Sequence, residues 1–310
     1  MKVAIRNSLA EFFRALPYFK GKYRLGPALI PLLTNYEVEQ DCIVTFKMRD
    51  KGIVRLDLRG FLEQVAFFSG EYDHGVIQRL STILKPGSIV FDIGANVGLY
   101  SIALGLQLKK LSGDSKLWAF EPVKSNFDYL VHQVKINHLT NIVEPVNIAL
   151  GNQEGEIQLH VVGKHNLATT GNAVWVKESM NNGALPNCLS TITKLDAFVQ
   201  SYKIKTCNLI KIDIEGAELE FLLGGMNFIN SCKPIIYGEF NQYWVREFGY
   251  SFIDVAELVK PWGYKLYQQK GCNKFVEVKE PKVGIENVLM VHQETQEKSP
   301  SLLPNLGVLQ

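Results

Sequence analysis

Apolar residues in this chain fall into short β-branched runs separated by stretches of helical spacing. Ile89-Val90-Phe91, after Lys85-Pro86-Gly87, reads as a buried strand leaving a turn, and Val97, Ser101 and Leu104 then share one helix face. Lys116-Leu117-Trp118-Ala119-Phe120 reads as the second strand, 126–137 as a helix and 142–146 as the third strand. Residues 208–212 give a fourth sheet strand, 234–241 a fifth and 264–268 a further one. Helices are predicted from 193–196 onward, over 217–223 ending at Gly224-Gly225, and over 252–262 closed by Gly263. Strands alternating with helices predict an α/β domain.

The flanks read differently. Leu9, Phe12, Phe13 and Leu16 fit a helix ended by Pro17, while Pro27 and Pro31 predict a loop. Alternating runs between 36 and 58, broken by Arg49-Asp50-Lys51-Gly52, predict an antiparallel hairpin or small sheet. Residues 61–84 read as two helices around a break at 69–73. There Phe67, Phe68 and Tyr72 could roof a ligand site, and Glu71 or Asp73 could face a cationic ligand. A plain capping role for Asp73 is the alternative. Residues 156–162 look like a strand, and 164–186, polar and glycine-spotted around His165 and Trp175, like a substrate-facing insertion. The layout expected is an extension over 1–84, a catalytic domain over 85–292 and a flexible tail over 293–310.

A formal net charge of +2 on 310 residues gives no sign of nucleic-acid binding. Five scattered cysteines without a Cys-x-x-Cys spacing suggest neither a disulfide framework nor a zinc site, so a cytoplasmic setting is expected. No apolar run reaches the length of a membrane span, and no secretory leader is read. The basic N-terminal stretch (Lys2, Arg6, Arg14, Lys20, Lys22, Arg24) is expected to pack on the domain or a dimer mate, with peripheral membrane contact as the alternative.

The chemistry concentrates where the first strand meets its helix. Asp92-x-Gly94-x-x-x-Gly98 is a tight turn that brings backbone N–H groups to a ligand, with Gly94 free to take forbidden angles and Gly98 allowing close approach. A dinucleotide site would show Gly-x-Gly-x-x-Gly, but Asn96 replaces the middle glycine. The carboxylate of Asp92 would repel a pyrophosphate and suits a cationic ligand such as S-adenosylmethionine. Glu121, fixed at the second strand's end by Pro122, suits ribose hydroxyls. Asn147 could pair with an adenine edge while Ile148 packs on the ring.

With these residues placed, the chain resembles the FkbM family of S-adenosylmethionine-dependent methyltransferases. The matching segments are 91–101, Ala119-Phe-Glu-Pro122, Ala149-Leu-Gly151 with Gly155, Thr191-x-x-x-Leu-Asp196 and Leu209-Ile-Lys-Ile-Asp-Ile-Glu-Gly-Ala-Glu218; Phe67-Phe-Ser-Gly-Glu-Tyr-Asp73 also fits. The resemblance implies a class I, Rossmann-like methyltransferase fold: a seven-stranded, mostly parallel sheet whose last strand is antiparallel, with helices on both faces. It also implies O-methylation of a sugar or natural-product hydroxyl, and it brings Tyr100, Pro122 and Ala149 into the cofactor set beside Asp92, Gly94, Asn96, Gly98, Glu121 and Asn147.

A hydroxyl acceptor needs its proton removed, and Asp213 and Glu239 are the candidate bases because each is the acid that ends an apolar strand. Asp213 ranks first. Asn241 could join them around a Mg²⁺-like cation, but convergence is not readable, so no metal is predicted. The acceptor expected is a glycan or small molecule. N-methylation, a nicotinamide-dependent oxidoreductase and a non-catalytic binding module are the competing readings.

Overall fold

The computed structural model describes residues 2–17, 22–111, 113–162, 172–175, 188–271 and 273–309. The chain opens with α1 (Lys2–Ala15), α2 (Lys22–Leu33) and a short α3 (Glu39–Cys42). A hairpin of β1 (Ile43–Lys47) and β2 (Ile53–Asp57) and two helices, α4 (Phe61–Ser69) and α5 (His74–Ser81), follow. The expected proline loop is instead helical: Pro27 and Pro31 both lie within α2. Burial overrides the cost of proline there, because Ile30 is fully enclosed and Gly26 packs so tightly on Phe68 that a Cβ would meet its ring at 2.3 Å. Phe67 and Phe68 fill this N-terminal core, not a roof over a ligand, and Glu71 pairs with Arg49 at 2.6 Å.

The central domain runs β3 (Ile89–Ile93), α6 (Leu99–Lys110), β4 (Lys116–Phe120), α7 (Lys124–Ile136) and β5 (Val143–Val146). A side sheet follows from β6 (Ala149–Leu150), β7 (Gly155–Val162), β8 (Asn172–Trp175) and β9 (Cys188–Thr193), ordered β6-β9-β7-β8. Trp175 is thus on a strand, while His165 and the rest of the expected insertion lie outside the described residues, as do Lys20 and Cys272. The chain continues through α8 (Leu195–Ser201), β10 (Leu209–Ile212), α9 (Glu218–Gly224), α10 (Met226–Cys232) and β11 (Ile235–Glu239). It then forms α11 (Gln242–Glu247), α12 (Phe252–Val259), β12 (Tyr264–Lys270), β13 (Lys274–Glu277) and β14 (Asn287–His292), and ends in α13 (Gln293–Lys298), α14 (Leu302–Leu306) and β15 (Val308–Leu309).

Among the described residues, the main sheet has nine strands in the order β15-β13-β12-β14-β11-β10-β3-β4-β5. Seven of them, β12 to β5 in that order, are the expected core, with β14 antiparallel between β11 and β12. Alternation sorts side chains to two helical layers. Val90 and Leu209 join α5, α6 and α7 on one face; Phe91, Ile93, Ile210 and Ile212 join α8, α9, α10 and α12 on the other. The C-terminal segment is not a loose tail. Leu302 and Leu306 pack in the first of these layers and β15 pairs with β13, because their apolar side chains cover an edge the seven core strands leave open. No helix among the described residues is long and apolar enough to cross a membrane.

Candidate active site

Parallel register brings the ends of β3, β4, β10 and β11 to one edge of the sheet, where ligands of open α/β sheets gather. Backbone bonds fix the loops there. Gly94 and Ala95 donate to the Phe120 carbonyl at 3.0 and 2.9 Å, and Asp213 donates to that of Ile93 at 3.0 Å. Gly94 has φ +77°, and a Cβ would lie 1.9 Å from the Asp213 carbonyl oxygen, so only glycine lets these two loops meet.

Above this edge is a cavity of about 340 Å³. Ile148 and Ala149 line it with Ile157, Leu159, Ile192 and Trp175 from the side sheet, giving one apolar wall. Its charged lining is lopsided among the described residues: six carboxylates (Glu63, Asp73, Glu121, Asp213, Glu215, Glu239) and one ammonium, Lys211. Despite the acids, no group of His, Cys, Asp or Glu among the described residues is arranged to hold a metal ion.

Of the sequence-derived cofactor residues, Gly94, Asn96, Tyr100, Glu121, Pro122 and Ala149 line this cavity together. Glu121 is buried and already engaged: Oε2 accepts from the Asn96 N–H at 2.8 Å, and Oε1 from the Val123 N–H at 3.0 Å and Asn126 Nδ2 at 3.3 Å. Three of a carboxylate's four or so lone-pair sites are thus taken, which leaves about one for a ribose hydroxyl. Burial pushes its pKa up to about 7, against the pull of those donors.

Three expected ligand contacts are displaced. Asp92 is 0 % exposed and is not among the residues that line the cavity; Ser101 donates to its Oδ2 at 2.6 Å, and Lys211 Nζ lies 3.5 Å from Oδ1 as an ion-pair partner. Gly98, at φ +91°, serves helix packing: a Cβ would strike Leu130 of α7 at 2.6 Å. Asn147 turns its amide to the carbonyls of Glu121 and Pro122 at 2.8 and 3.0 Å, pinning the β4 exit, and leaves the cavity wall to Ile148 and Ala149.

Asp213 and Glu239 both line the cavity. Asp213 Oδ2 lies 3.5 Å from Lys211 Nζ. Burial and the neighbouring Asp213 charge push the Glu239 pKa up to about 7. Asp73 occupies the position before α5 at φ +42°, makes no capping bond and accepts from the Tyr100 hydroxyl at 2.9 Å, so its side chain belongs to the cavity. Behind the 213–217 turn, Glu218 accepts from the N–H groups of Ile214 and Gly216 at 3.1 and 3.2 Å and from the Tyr250 hydroxyl at 2.9 Å.

Lys211 went unassigned in the sequence, although a lysine inside the apolar run Leu209-Ile210-Lys211-Ile212 is itself a signal, since buried charges need partners. Burial opposes its ammonium, and Asp213, Asp92 and Glu239 more than overcome that, holding its pKa above the ordinary lysine value.

An open sheet of this order, with an acid-lined cavity at the carboxyl ends of its parallel strands, defines the class I methyltransferase fold. Residues 92–266, more than half of the chain, match the methyltransferase FkbM domain. The chain belongs to the FkbM methyltransferase family. It is 26% identical over 172 residues to the hexuronic acid methyltransferase AglP of Haloferax volcanii, covering 54% of this chain and 61% of that one. It is also 26% identical over 167 residues to methyltransferase sdnD of Sordaria araneosa, covering 46% and 61%. The match thus spans about three-fifths of these curated relatives. Among solved structures, the methyltransferase FkbM of Methylobacillus flagellatus aligns with 16% identity and a TM-score of 0.43, over 75% of this chain and 53% of that one.

Proposed function

We propose that the chain is an S-adenosylmethionine-dependent O-methyltransferase acting on a hydroxyl of a carbohydrate or small natural-product acceptor. The cavity's charge carries this reading: among the described residues, six carboxylates stand against one lysine that is already ion-paired. A cofactor with an ammonium and a sulfonium fits that lining. A pyrophosphate does not: at about 4 Å, each carboxylate–phosphate contact would cost about 4 kcal/mol at an effective dielectric near 20.

Glu121 would hold the ribose, Ile148 and Ala149 the adenine, and the Gly94–Asn96 loop the edge between them. When bound, the cofactor supplies an electrophilic methyl group whose bonding electrons leave on sulfur. The protein's part is to hold the acceptor oxygen in line with that methyl and to take its proton. Well-oriented pairs reach effective molarities of about 10⁵ to 10⁸ M, so positioning supplies much of the acceleration. As the new C–O bond forms, the hydroxyl proton passes to a carboxylate of this edge. The similarity to a hexuronic acid methyltransferase supports a sugar as acceptor.

Incubation with methyl-labelled cofactor and a panel of glycans and hydroxylated small molecules tests the proposal. Label appearing as a base-stable methyl ether supports it. A methylated amine as the product, or no transfer while cofactor binds, overturns it. For Glu239→Gln, turnover should fall by about 10² or more with binding retained.

A further inference from the structure

We propose that Lys211 is a positioning residue: its ammonium holds the glycine loop in place and answers the charges of Asp92 and Asp213 at the cavity edge where Glu239 stands. This rests on reading the cavity as the methyl-transfer site. Nζ donates to the Gly94 carbonyl oxygen at 3.1 Å, lies 3.5 Å from both Asp92 Oδ1 and Asp213 Oδ2, and sits 5.1 Å from the centre of the Tyr100 ring. One side chain therefore joins the end of β3, the glycine loop, the exit of β10 and the first turn of α6.

The register makes this unavoidable. Lys211 is the cross-strand partner of Asp92 on β3 and of Tyr237 on β11, so all three side chains leave the same face of the sheet. The Gly94 carbonyl points inward because φ +77° turns the loop over, and Lys211 is the donor that meets it. An ammonium 4 % exposed would be costly without partners. The charged and titratable groups facing it come from every neighbouring element: Asp92, Asp73, Tyr100, Glu121, Asp213, Tyr237 and Glu239, with Tyr72 and Glu218 bordering the same carboxylates.

Two consequences follow. Without the Lys211 charge, Asp213 and Glu239 repel each other unopposed, so Glu239 stays protonated at neutral pH. Without the donor, the Gly94 carbonyl is left unsatisfied and the loop that contacts the cofactor shifts. The lysine acts through these groups and touches no reacting atom.

The test follows the side-chain carboxyl of Glu239 by carbon NMR in the ligand-free full chain, with the signal assigned through Glu239→Gln. In the wild type its midpoint should lie at about 7. Lys211→Met should raise it by about one pH unit or more, the usual effect of removing an adjacent opposite charge, while Lys211→Arg should stay within about half a unit of wild type. Should Lys211→Met fail to fold, Asp92→Asn/Lys211→Met removes both buried charges and carries the same expectation. Adenosylhomocysteine affinity, read by calorimetry, should fall about tenfold or more in the methionine variant, the effect of one lost charged hydrogen bond. A midpoint within about 0.3 units of wild type in a folded variant, or an arginine variant shifted as far as the methionine one, overturns the proposal. Wild-type protein without affinity for adenosylhomocysteine, but with the stated titration, overturns the cofactor reading instead, so the two failures are distinguishable.

Discussion

Asn96 donates its backbone N–H to Glu121 Oε2 at 2.8 Å, tying the glycine loop after β3 to the acid that ends β4. Asn96 holds φ +49° to make that bond, so the loop's shape and the acid's orientation are one feature. Glu121→Gln would leave one N–H donor facing an NH₂ group. A charge-assisted bond contributes about 1.5–3 kcal/mol, so adenosylhomocysteine affinity should drop about tenfold or more. Calorimetry showing unchanged affinity in the folded variant would remove Glu121 from the ribose site.

Gly94→Ala probes the meeting of the two loops. Its Cβ would stand 1.9 Å from a backbone oxygen, which cannot rotate away as a side chain could. Overpacking of this kind costs about 1–3 kcal/mol, with the left-handed backbone adding about 1 more. Urea denaturation should show the loss, and cofactor binding should disappear. A variant as stable as wild type would mean the loops are not locked together.

Stability should also respond to pH in a defined direction. Burial pushes Glu121 and Glu218 from 4.5 up to about 7 in the folded protein. Between those values the native state holds more protons than the unfolded one, so these groups stabilise most at low pH and lose that contribution as pH rises to 7. His132 and His292, lowered by burial, act oppositely below 6.5. The comparison is therefore between slopes: Glu218→Gln should flatten the fall in Tm between about pH 5 and 7 relative to wild type. An identical slope in scanning calorimetry would show that Glu218 titrates normally.

Leu306 is fully enclosed beside Phe275 and Leu302. Leu306→Ala should cost about 2–5 kcal/mol in chemical denaturation, whereas a loose tail would show within about 0.5 kcal/mol.

Much of the site was legible because buried parallel strands announce themselves. The runs ending at Asp92, Glu121, Asp213 and Glu239 became β3, β4, β10 and β11, and five of the cofactor residues besides Glu121 stand around one cavity. What a side chain does at a strand end depends on its phase and on who meets it across the sheet. Nothing local to Asp92 announces that Lys211, more than a hundred residues later, is its register partner. Gly98 and Asn147 were assigned to a ligand for the same reason: their partners, Leu130 and the Glu121 and Pro122 carbonyls, come from other elements. The helical run through Pro27 and Pro31 and the packed C-terminus show tertiary burial overriding local propensity.

On the proposed function, this acid-lined cavity holds a sulfonium nucleoside. Titration calorimetry of the full chain with S-adenosylmethionine and, separately, with a nicotinamide dinucleotide tests it most directly. One-to-one binding of the first, lost on replacing Glu121 by Ala, and no heat from the second is the expected outcome. Binding of the dinucleotide without binding of S-adenosylmethionine would contradict it.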